Sequence, residues 1–472
     1  MTILAIDQGT SGTKAIVVDA ADGVLGVAEE TVRPTYFAGG GVEHDPEKLF
    51  QSILAAGRTA LAQARRPVDV IALANQGETV LAWDPTTGTP LTPAVVWQDR
   101  RAEQLCSELS EQRSWVAQRT GLVLDPYFSG PKMAWLRRNL TRAGVVTTTD
   151  VWLLHRLTGE FVTDASTASR SLLTDLDAVE WDPELLSLFA LEGERLPRIV
   201  ASDEIIGTTR CFGGKPVPVG GLVVDQQAAL LAESCLEPGT AKCTFGTGAF
   251  LLANTGTKAV RSTSGLTTSV AWRARGSTPY CVDGQVYTAA SAVGWLKDLG
   301  FIETPADLDR VAAADAEGAL CIPALAGLAA PWWRSDATAT FTGMTLATRP
   351  EHLVLAVLQG IAAQVAELVD LVAADMGQPF TRLRVDGGLT RSRTLLTAVA
   401  DLIQIPVEVY PSPHATPLGA AALARLALEP DLALADAVGD WTPSAVVEPT
   451  WSPGKAADFR ARWRTALSSA LV

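Results

Sequence analysis

Short apolar runs separated by small polar residues mark the start of the chain. Ile3–Asp7 and Ala15–Asp19 are such runs, and the glycine- and hydroxyl-rich stretch Gly9–Lys14 lies between them. This arrangement predicts a β-hairpin with a tight turn. A third strand is predicted at Gly26–Val32.

A helix and two buried strands are predicted after the hairpin. Asp45–Pro46 supplies an N-cap residue and a proline at the first helical position, and the apolar helix that it starts is expected to run to about Arg65. Val68–Ala74 and Thr79–Trp83 are continuous rather than alternating apolar runs. Strands of this kind are buried on both faces, which is typical of an α/β fold.

The second half of the chain repeats the strand–turn–strand pattern. Thr240–Phe245 and Ala249–Ala253 flank the turn Gly246–Gly248. The later predicted elements are a strand at Ser269–Trp272, a helix from Pro350 to about Gly377, a strand at Leu383–Asp386, a helix at Leu395–Ile403, a strand at Val407–Tyr410 and a helix at Leu418–Leu428. We therefore predict two α/β domains, residues 1–233 and 234–472.

Composition and charge narrow the class of protein. The chain has 472 residues, of which 47% are hydrophobic and 19% charged, so it has ample apolar surface for a folded core. Its formal net charge of −14 at pH 7 argues against non-specific nucleic-acid binding, which needs basic side chains. The apolar stretch Gly318–Trp333 is too short to span a bilayer, and the first residues lack signal-peptide features. We expect a soluble, cytoplasmic protein with neither a nucleic-acid nor a membrane partner.

Two kinds of feature could carry chemistry. Each Gly/Thr turn leaves backbone N–H groups free to bind a phosphate chain, although one such turn alone can equally be a tight hairpin. Neither a P-loop nor a Rossmann glycine motif is present. Asp7, Asp225 and Asp386 each end an apolar run, where α/β folds place catalytic groups. Asp225 could also be a helix N-cap, and Asp386 a turn former.

The sequence resembles the FGGY family of carbohydrate kinases over nearly its whole length, and within that family the glycerol kinases. The two family signatures match at Tyr127–Asn139 and at Ala339–Gln359. Further matching segments, in the family's order, are DQGTSGTK (7–14), GVEHDPE (41–47), VWQDRR (96–101), VTDASTASRSLL (162–173), VDQQAAL (224–230), TFGTGAF (244–250) and VDGG (385–388).

The resemblance implies a fold, a reaction and an assembly. The fold is that of the actin-like ATPases, in which two ribonuclease-H-like domains enclose a cleft. The cleft of these kinases binds ATP and Mg²⁺, and a terminal hydroxyl of a small polyol or sugar is phosphorylated there. Assembly as a homodimer or homotetramer is also expected.

The resemblance also assigns roles to individual residues. Asp225 matches the general base that accepts the proton of the attacking hydroxyl, and Asp7, with Asp225 beside it, matches the residue that holds Mg²⁺ through water. The positions that match the acceptor site are Gln76, Gly77, Glu78, Trp97, Tyr127, Asp225, Gln226 and Phe250. The positions that match nucleotide-binding residues are Thr10, Ser11, Thr13, Lys14, Gly246, Thr247, Ala290, Gly294, Gly387, Gly388 and Ser392.

Two positions near the expected acceptor depart from the glycerol-kinase pattern. Gly77 stands where those kinases carry an arginine that grips the substrate, and Val224 stands where they carry glycine. Loss of the arginine removes a charge-assisted donor and vacates volume, which predicts a deeper pocket for a longer acceptor, such as erythritol, threitol, a pentitol or a ketose. Alternatively, another arginine or a water fills the gap and glycerol is still the acceptor.

Two functions other than that of a kinase stay open. An actin-like ATPase shares the fold and hydrolyses ATP without a sugar acceptor, and a sugar sensor would have lost catalysis. The ATPase would not need Trp97, Tyr127 and Phe250 to line a small pocket beside Asp225. The presence of Asp7, Asp225 and Thr247 argues against a sensor without catalysis. ADP production that depends on an added polyol would separate the kinase from both.

Overall fold

Two mixed β-sheets organise the chain in the computed structural model, which describes residues 1–471. Up to residue 233 the strands are β1 (Thr2–Gln8), β2 (Gly12–Asp19), β3 (Gly23–Thr31), β4 (Thr35–Phe37), β5 (Gly41–His44), β6 (Val70–Asn75), β7 (Val80–Trp83), β8 (Ala94–Val95), β9 (Val145–Thr148), β10 (Val162–Asp164), β11 (Thr174–Asp175), β12 (Glu180–Trp181), β13 (Arg198–Val200), β14 (Gly207–Thr209) and β15 (Val217–Val224). The helices there are α1 (Pro46–Ala64), α2 (Glu103–Glu108), α3 (Arg113–Thr120), α4 (Ser129–Asn139), α5 (Thr149–Thr158), α6 (Ala165–Ser169), α7 (Pro183–Leu188) and α8 (Asp225–Ala232).

The rest of the chain continues the same alternation. Its strands are β16 (Ala241–Phe245), β17 (Ala249–Gly256), β18 (Thr267–Val270), β19 (Tyr280–Val286), β20 (Leu320–Ile322), β21 (Thr340–Thr342), β22 (Leu383–Asp386), β23 (Val407–Val409) and β24 (Ala445–Val447). Its helices are α9 (Ala290–Asp298), α10 (Leu308–Val311), α11 (Pro350–Met376), α12 (Arg393–Ile403), α13 (Ala415–Leu428), α14 (Leu434–Val438) and α15 (Pro453–Ala470).

The two large sheets share a topology. The first has the strand order β14-β15-β6-β1-β2-β3, in which β1 pairs antiparallel with β2 and parallel with β6. The second has the order β18-β19-β17-β16-β22-β23-β24, in which β16 pairs antiparallel with β17 and parallel with β22. This repetition confirms the predicted two-half α/β fold. The boundary near residue 233 stays a proposal.

The local sequence signals explain the elements that frame the halves. Asp45 caps α1, because its Oδ1 accepts a 3.0 Å hydrogen bond from the N–H of Glu47. The long helix α11 is predicted correctly from Pro350 to its end before Gly377, whose left-handed φ of 69° closes it.

Among residues 1–471, α11 alone is long and apolar enough to cross a membrane, and 89% of its most apolar window is buried as core of the second half.

One helix crosses between the halves. Helix α13 follows strand β23 of the second sheet in sequence, but Leu423 and its apolar neighbours share a buried core with Ile3, Ala72 and Val223 of the first sheet. A Cβ on Gly419 would lie 1.9 Å from the carbonyl oxygen of Ala228, so only glycine lets α13 approach α8 this closely.

The ends of the parallel strands determine where the candidate site lies. Asp7 lies beside Ala74 in the first sheet, and Val224 pairs with Asn75, so the segments that follow β1, β6 and β15 meet at one edge. In the second sheet Thr244 pairs with Asp386, which brings the ends of β16 and β22 together in the same way. In open α/β sheets this edge is where ligands bind.

Candidate active site

A cavity of about 190 Å³ lies where these two edges face each other. Both halves line it, because Thr10 and Trp97 come from the first and Thr247 and Phe250 from the second. All eight residues predicted for the acceptor line this cavity: Gln76, Gly77, Glu78, Trp97, Tyr127, Asp225, Gln226 and Phe250. The structure therefore brings together residues that are up to 174 positions apart in sequence, counting from position 76 to position 250.

Asp225 begins α8 directly after the buried strand β15. The backbone N–H of Gln226 donates a 2.6 Å hydrogen bond to its Oδ1, which fixes the carboxylate at the cavity wall. Burial raises the pKa of Asp225 to about 6, and the nearby Glu78 carboxylate adds to this, whereas Lys242 opposes it. A carboxylate with this pKa is ionised at neutral pH and basic enough to accept a proton.

Asp7 lies at the end of β1 on the same edge. Burial raises its pKa to about 7, Asp225 and Asp386 add to the rise, and Lys14 opposes it. This crowding of carboxylates would be relieved by a divalent cation, so the donor set fits Mg²⁺. Among residues 1–471 no group of three or more His, Cys, Asp or Glu side chains is arranged to hold a metal ion.

Both predicted phosphate turns reach the cavity. Thr10 and Ser11 line it from the first half, and Gly246 and Thr247 line it from the second. Lys14 is the third residue of β2, and its Nζ contacts Glu29 Oε1 at 3.0 Å and donates a 3.2 Å hydrogen bond to the carbonyl oxygen of Pro413.

Two further predicted nucleotide residues lie near the second turn, and two lie in more open positions. The N–H of Ala290, at the start of α9, donates a 3.0 Å hydrogen bond to the carbonyl oxygen of Gly246. Gly387 has a φ of 97° and packs against the backbone of Phe245, where a Cβ would not fit. A Cβ on Gly294 or Gly388 would meet no atom within 4 Å, so the backbone there is uncovered.

Two predicted nucleotide residues do not present their side chains to the cavity. The buried hydroxyl of Thr13 lies 2.6 Å from that of Ser52 in α1, because alternate residues of β2 point to opposite faces of the sheet. Ser392 caps α12, and its hydroxyl donates a 2.8 Å hydrogen bond to Asp309. Both hydroxyls therefore form hydrogen bonds within the protein.

Aromatic rings form one wall of the cavity. Trp97 packs edge-to-face with Tyr127 at 5.4 Å and with Phe250 at 6.2 Å between ring centroids. Its Nε1 donates a 2.8 Å hydrogen bond to Oγ1 of Thr10, which in turn donates at 3.1 Å to Oε1 of Gln76. This chain of hydrogen bonds connects the aromatic wall to the first phosphate turn.

Val224 and Arg170 are the neighbours of Gly77 in the structure. A Cβ on Gly77 would lie at ordinary van der Waals distances, 3.4 Å from Cγ1 of Val224 and 4.0 Å from Cδ of Arg170. Arg170 lines the cavity, forms an ion pair with Glu78 and contacts Asp283 Oδ1 at 3.0 Å. A second arginine therefore stands near the position where the sequence lacks one, and the deeper pocket for a longer acceptor stays a prediction.

Sequence reasoning missed several residues that line the cavity. They are Tyr36, Gln98, Arg170, Gln227, Thr244, Leu252 and Asp283. Arg170 could have been found, because it lies in the segment 162–173 that matches the family and is the kind of arginine expected to offset the loss at Gly77. Asp283 stands in the middle of a strand and gives no such signal.

Comparison with known proteins identifies the family. The N-terminal domain profile of the FGGY family of carbohydrate kinases matches residues 2–232, and the C-terminal domain profile of the same family matches residues 241–428. The chain belongs to the FGGY family of carbohydrate kinases. It is therefore a phosphotransferase that acts on an alcohol group of a polyol or sugar, and the family implies ATP as the phosphoryl donor.

The similar proteins point to one branch of this family. The chain is 43% identical to a glycerol kinase from Alkalilimnicola ehrlichii, with 90% of each chain covered. It is 41% identical to one from Bordetella parapertussis, with 98% of this chain and 96% of the relative covered. Its structure is similar to that of Plasmodium falciparum glycerol kinase with ADP, with a TM-score of 0.90, 31% identity and coverage of 100% of this chain and 98% of the other.

Proposed function

We propose that this kinase transfers the γ-phosphoryl group of ATP to a terminal hydroxyl of glycerol or of a polyol close to it in size. The observation that supports this acceptor is the arginine beside Gly77. Arg170 lines the cavity, and a Cβ on Gly77 would lie 4.0 Å from its Cδ, so an arginine stands near the position where glycerol kinases carry theirs. The relatives that are glycerol kinases support the same acceptor.

In the proposed reaction Asp225 accepts the proton of the attacking hydroxyl as that oxygen approaches the γ-phosphorus. Trp97 and Phe250 pack against the carbon chain of the acceptor, and the neighbouring polar groups orient its hydroxyls. Because phosphoryl transfer passes through a loose transition state, alignment of the two substrates contributes more than the strength of the base.

The nucleotide is proposed to lie between the two phosphate turns. Thr10, Ser11, Gly246 and Thr247 would bind the phosphates through hydroxyl and backbone N–H groups. Asp7 would hold Mg²⁺ through water beside Asp225, and the bound ion would neutralise charge on the phosphates. A cytoplasmic location and assembly as a homodimer or homotetramer complete the proposal.

Release of ADP in the presence of ATP and Mg²⁺ tests this function. The acceptors to compare are glycerol, erythritol, threitol, a pentitol and xylulose, and we expect the highest kcat/KM with glycerol. Asp225→Asn should abolish the polyol-dependent rate and leave nucleotide affinity largely intact. A clear preference for a longer polyol would overturn the acceptor proposed here, and ATP turnover that ignores every polyol would favour an actin-like ATPase.

A further inference from the structure

We propose that Arg170 is the acceptor-binding cation of this kinase, and that the combination of Gly77 and Val224 leaves it room beside the acceptor. The inference rests on the proposed function and adds to it the residue that recognises the hydroxyl groups of the acceptor. Arg170 follows the short helix α6 and is only 5% exposed. Of the described residues that line the cavity, it is the one with a positive charge.

The hydrogen bonds of Arg170 leave one nitrogen for a ligand. Its Nε donates to the Glu78 carboxylate, and its Nη1 donates to Asp283 Oδ1 at 3.0 Å and to Ser269 Oγ at 3.3 Å. Within residues 1–471, Nη2 has no hydrogen-bond partner. A buried guanidinium that retains a free N–H group beside a cavity is suited to donate to a hydroxyl oxygen there.

The ion pairs also hold the guanidinium rigidly. Glu78 comes from the first half and Asp283 from the second, so carboxylates from both sides of the cleft fix the orientation of Arg170. A donor that is already oriented loses little conformational freedom when the acceptor binds. The two carboxylates neutralise the charge that burial would otherwise make costly.

The two departures from the glycerol-kinase pattern lie next to each other. An arginine is missing at Gly77, and a larger side chain replaces glycine at Val224. A Cβ on Gly77 would lie 3.4 Å from Cγ1 of Val224 and 4.0 Å from Cδ of Arg170, so a side chain at position 77 would pack directly against both. A second guanidinium at position 77 would also repel Arg170. We therefore infer an exchange of volume, in which the side-chain volume lost at position 77 is regained at position 224. Arg170 is then the hydrogen-bond donor to the acceptor in this pocket.

Steady-state kinetics of single variants test the role of Arg170. Arg170→Gln should raise the KM for glycerol about tenfold to a hundredfold while the KM for ATP stays within about threefold. The matched control is Arg137→Gln, which breaks another largely buried arginine–carboxylate pair, with Glu194, outside the cavity. Methylguanidinium added to Arg170→Ala should restore part of the glycerol-dependent rate. An equal rise in both KM values, or an unchanged KM for glycerol, would overturn the proposal.

Combined variants at positions 77 and 224 test the exchange of volume, first with Arg170 present and then without it. Gly77→Arg alone should impair glycerol binding, and Val224→Gly added to it should reverse most of that loss. In the Gly77→Arg, Val224→Gly background, Arg170→Gln should raise the KM for glycerol less than it does in the natural chain. Additive effects would contradict the contact between these positions. Failure of the natural chain to phosphorylate any polyol would instead overturn the proposed function.

Discussion

The ammonium group of Lys242 donates a 2.7 Å hydrogen bond to Oε1 of Gln226, the residue next to Asp225. It donates a second, at 2.6 Å, to Oγ1 of Thr244. Lys242 lies in β16 of the second sheet, whereas Gln226 lies at the start of α8 after the first, and the lysine is fully buried. One side chain thus fixes the relative position of the two halves at the proposed base and lowers the pKa of that base.

Lys242→Met is expected to reduce kcat about tenfold to a hundredfold, because it removes two charge-assisted hydrogen bonds beside the reacting groups. Loss of the positive charge also raises the pKa of Asp225 further, so the acidic limb of the kcat/KM profile should move to higher pH. The measurement is the rate of polyol-dependent ADP release against pH. Lys258→Met, at an exposed position, is the control, and an unmoved acidic limb would contradict the role of Lys242.

The unmodified kinase should lose activity as the pH falls through about 6. The proposed base works only when ionised, and burial raises the pKa of Asp225 to about 6. The kcat/KM for the acceptor, measured between about pH 5 and pH 8 with saturating ATP and Mg²⁺, should therefore fall tenfold for each pH unit well below that value. A rate that is independent of pH across this range would exclude Asp225 as the base.

Asp225→Asn should make the folded protein more stable at pH 8 than the natural chain. The pKa of Asp225 rises from 3.8 to about 6 on folding, so the folded state binds the proton more tightly and loses stability as the pH rises through that interval. The difference amounts to at most about 3 kcal/mol above pH 6 and vanishes below pH 4. Urea denaturation at pH 4 and pH 8 measures it, and an equal effect at both values would point to another cause.

Thr10→Val should raise the KM for the acceptor about tenfold. The substitution keeps the shape of the side chain but removes the hydroxyl that accepts from Trp97 and donates to Gln76. The aromatic wall then loses its connection to the first phosphate turn. Thr255→Val, which removes a hydroxyl far from the cavity, serves as the control in the same assay. Equal KM values for both variants would show that the hydrogen-bond chain does not orient the pocket.

Leu423→Ala should lower the free energy of unfolding by about 2–5 kcal/mol, because it leaves a cavity in a fully buried core. This leucine of α13 packs against the first sheet, so the loss tests whether the crossing helix stabilises that half. Leu346→Ala is the matched control, since Leu346 is fully exposed. Denaturation by urea gives both values, and equal stabilities would rule out the packing described above.

An element could be predicted from the sequence where its own residues carry a capping, turn or periodicity signal. The Asp45–Pro46 start of α1, the glycine turns and the apolar run of α11 each encode an element in neighbouring residues. The sheet formed by β4, β5, β7, β8 and β9 was not predicted as a unit, because strands of two to four residues carry too little periodicity. The packing of α13 on the first sheet joins Leu423 to residues that lie between 200 and 420 positions earlier, and no local pattern indicates it.

The acceptor residues were predicted from motifs, and all eight line one cavity. The size of that cavity was not predictable, since it depends on how Val224 and Arg170 pack against Gly77. A single glycine in a sequence indicates lost volume, but only the neighbours in space show whether another side chain has filled it. The hydrogen bond between the Thr13 and Ser52 hydroxyls was not predictable either, because the face of the sheet on which a strand residue lies follows from the register of β2.

The crossing of α13 has a consequence for the order in which this kinase can fold. The part of the apolar face of Ile3, Ala72 and Val223 that α13 covers stays exposed until the ribosome has added residues 415–428. The first half therefore leaves the ribosome with part of its core missing, and this exposed apolar surface favours aggregation until α13 packs on it. A fragment that ends after residue 233 would carry the same uncovered face permanently.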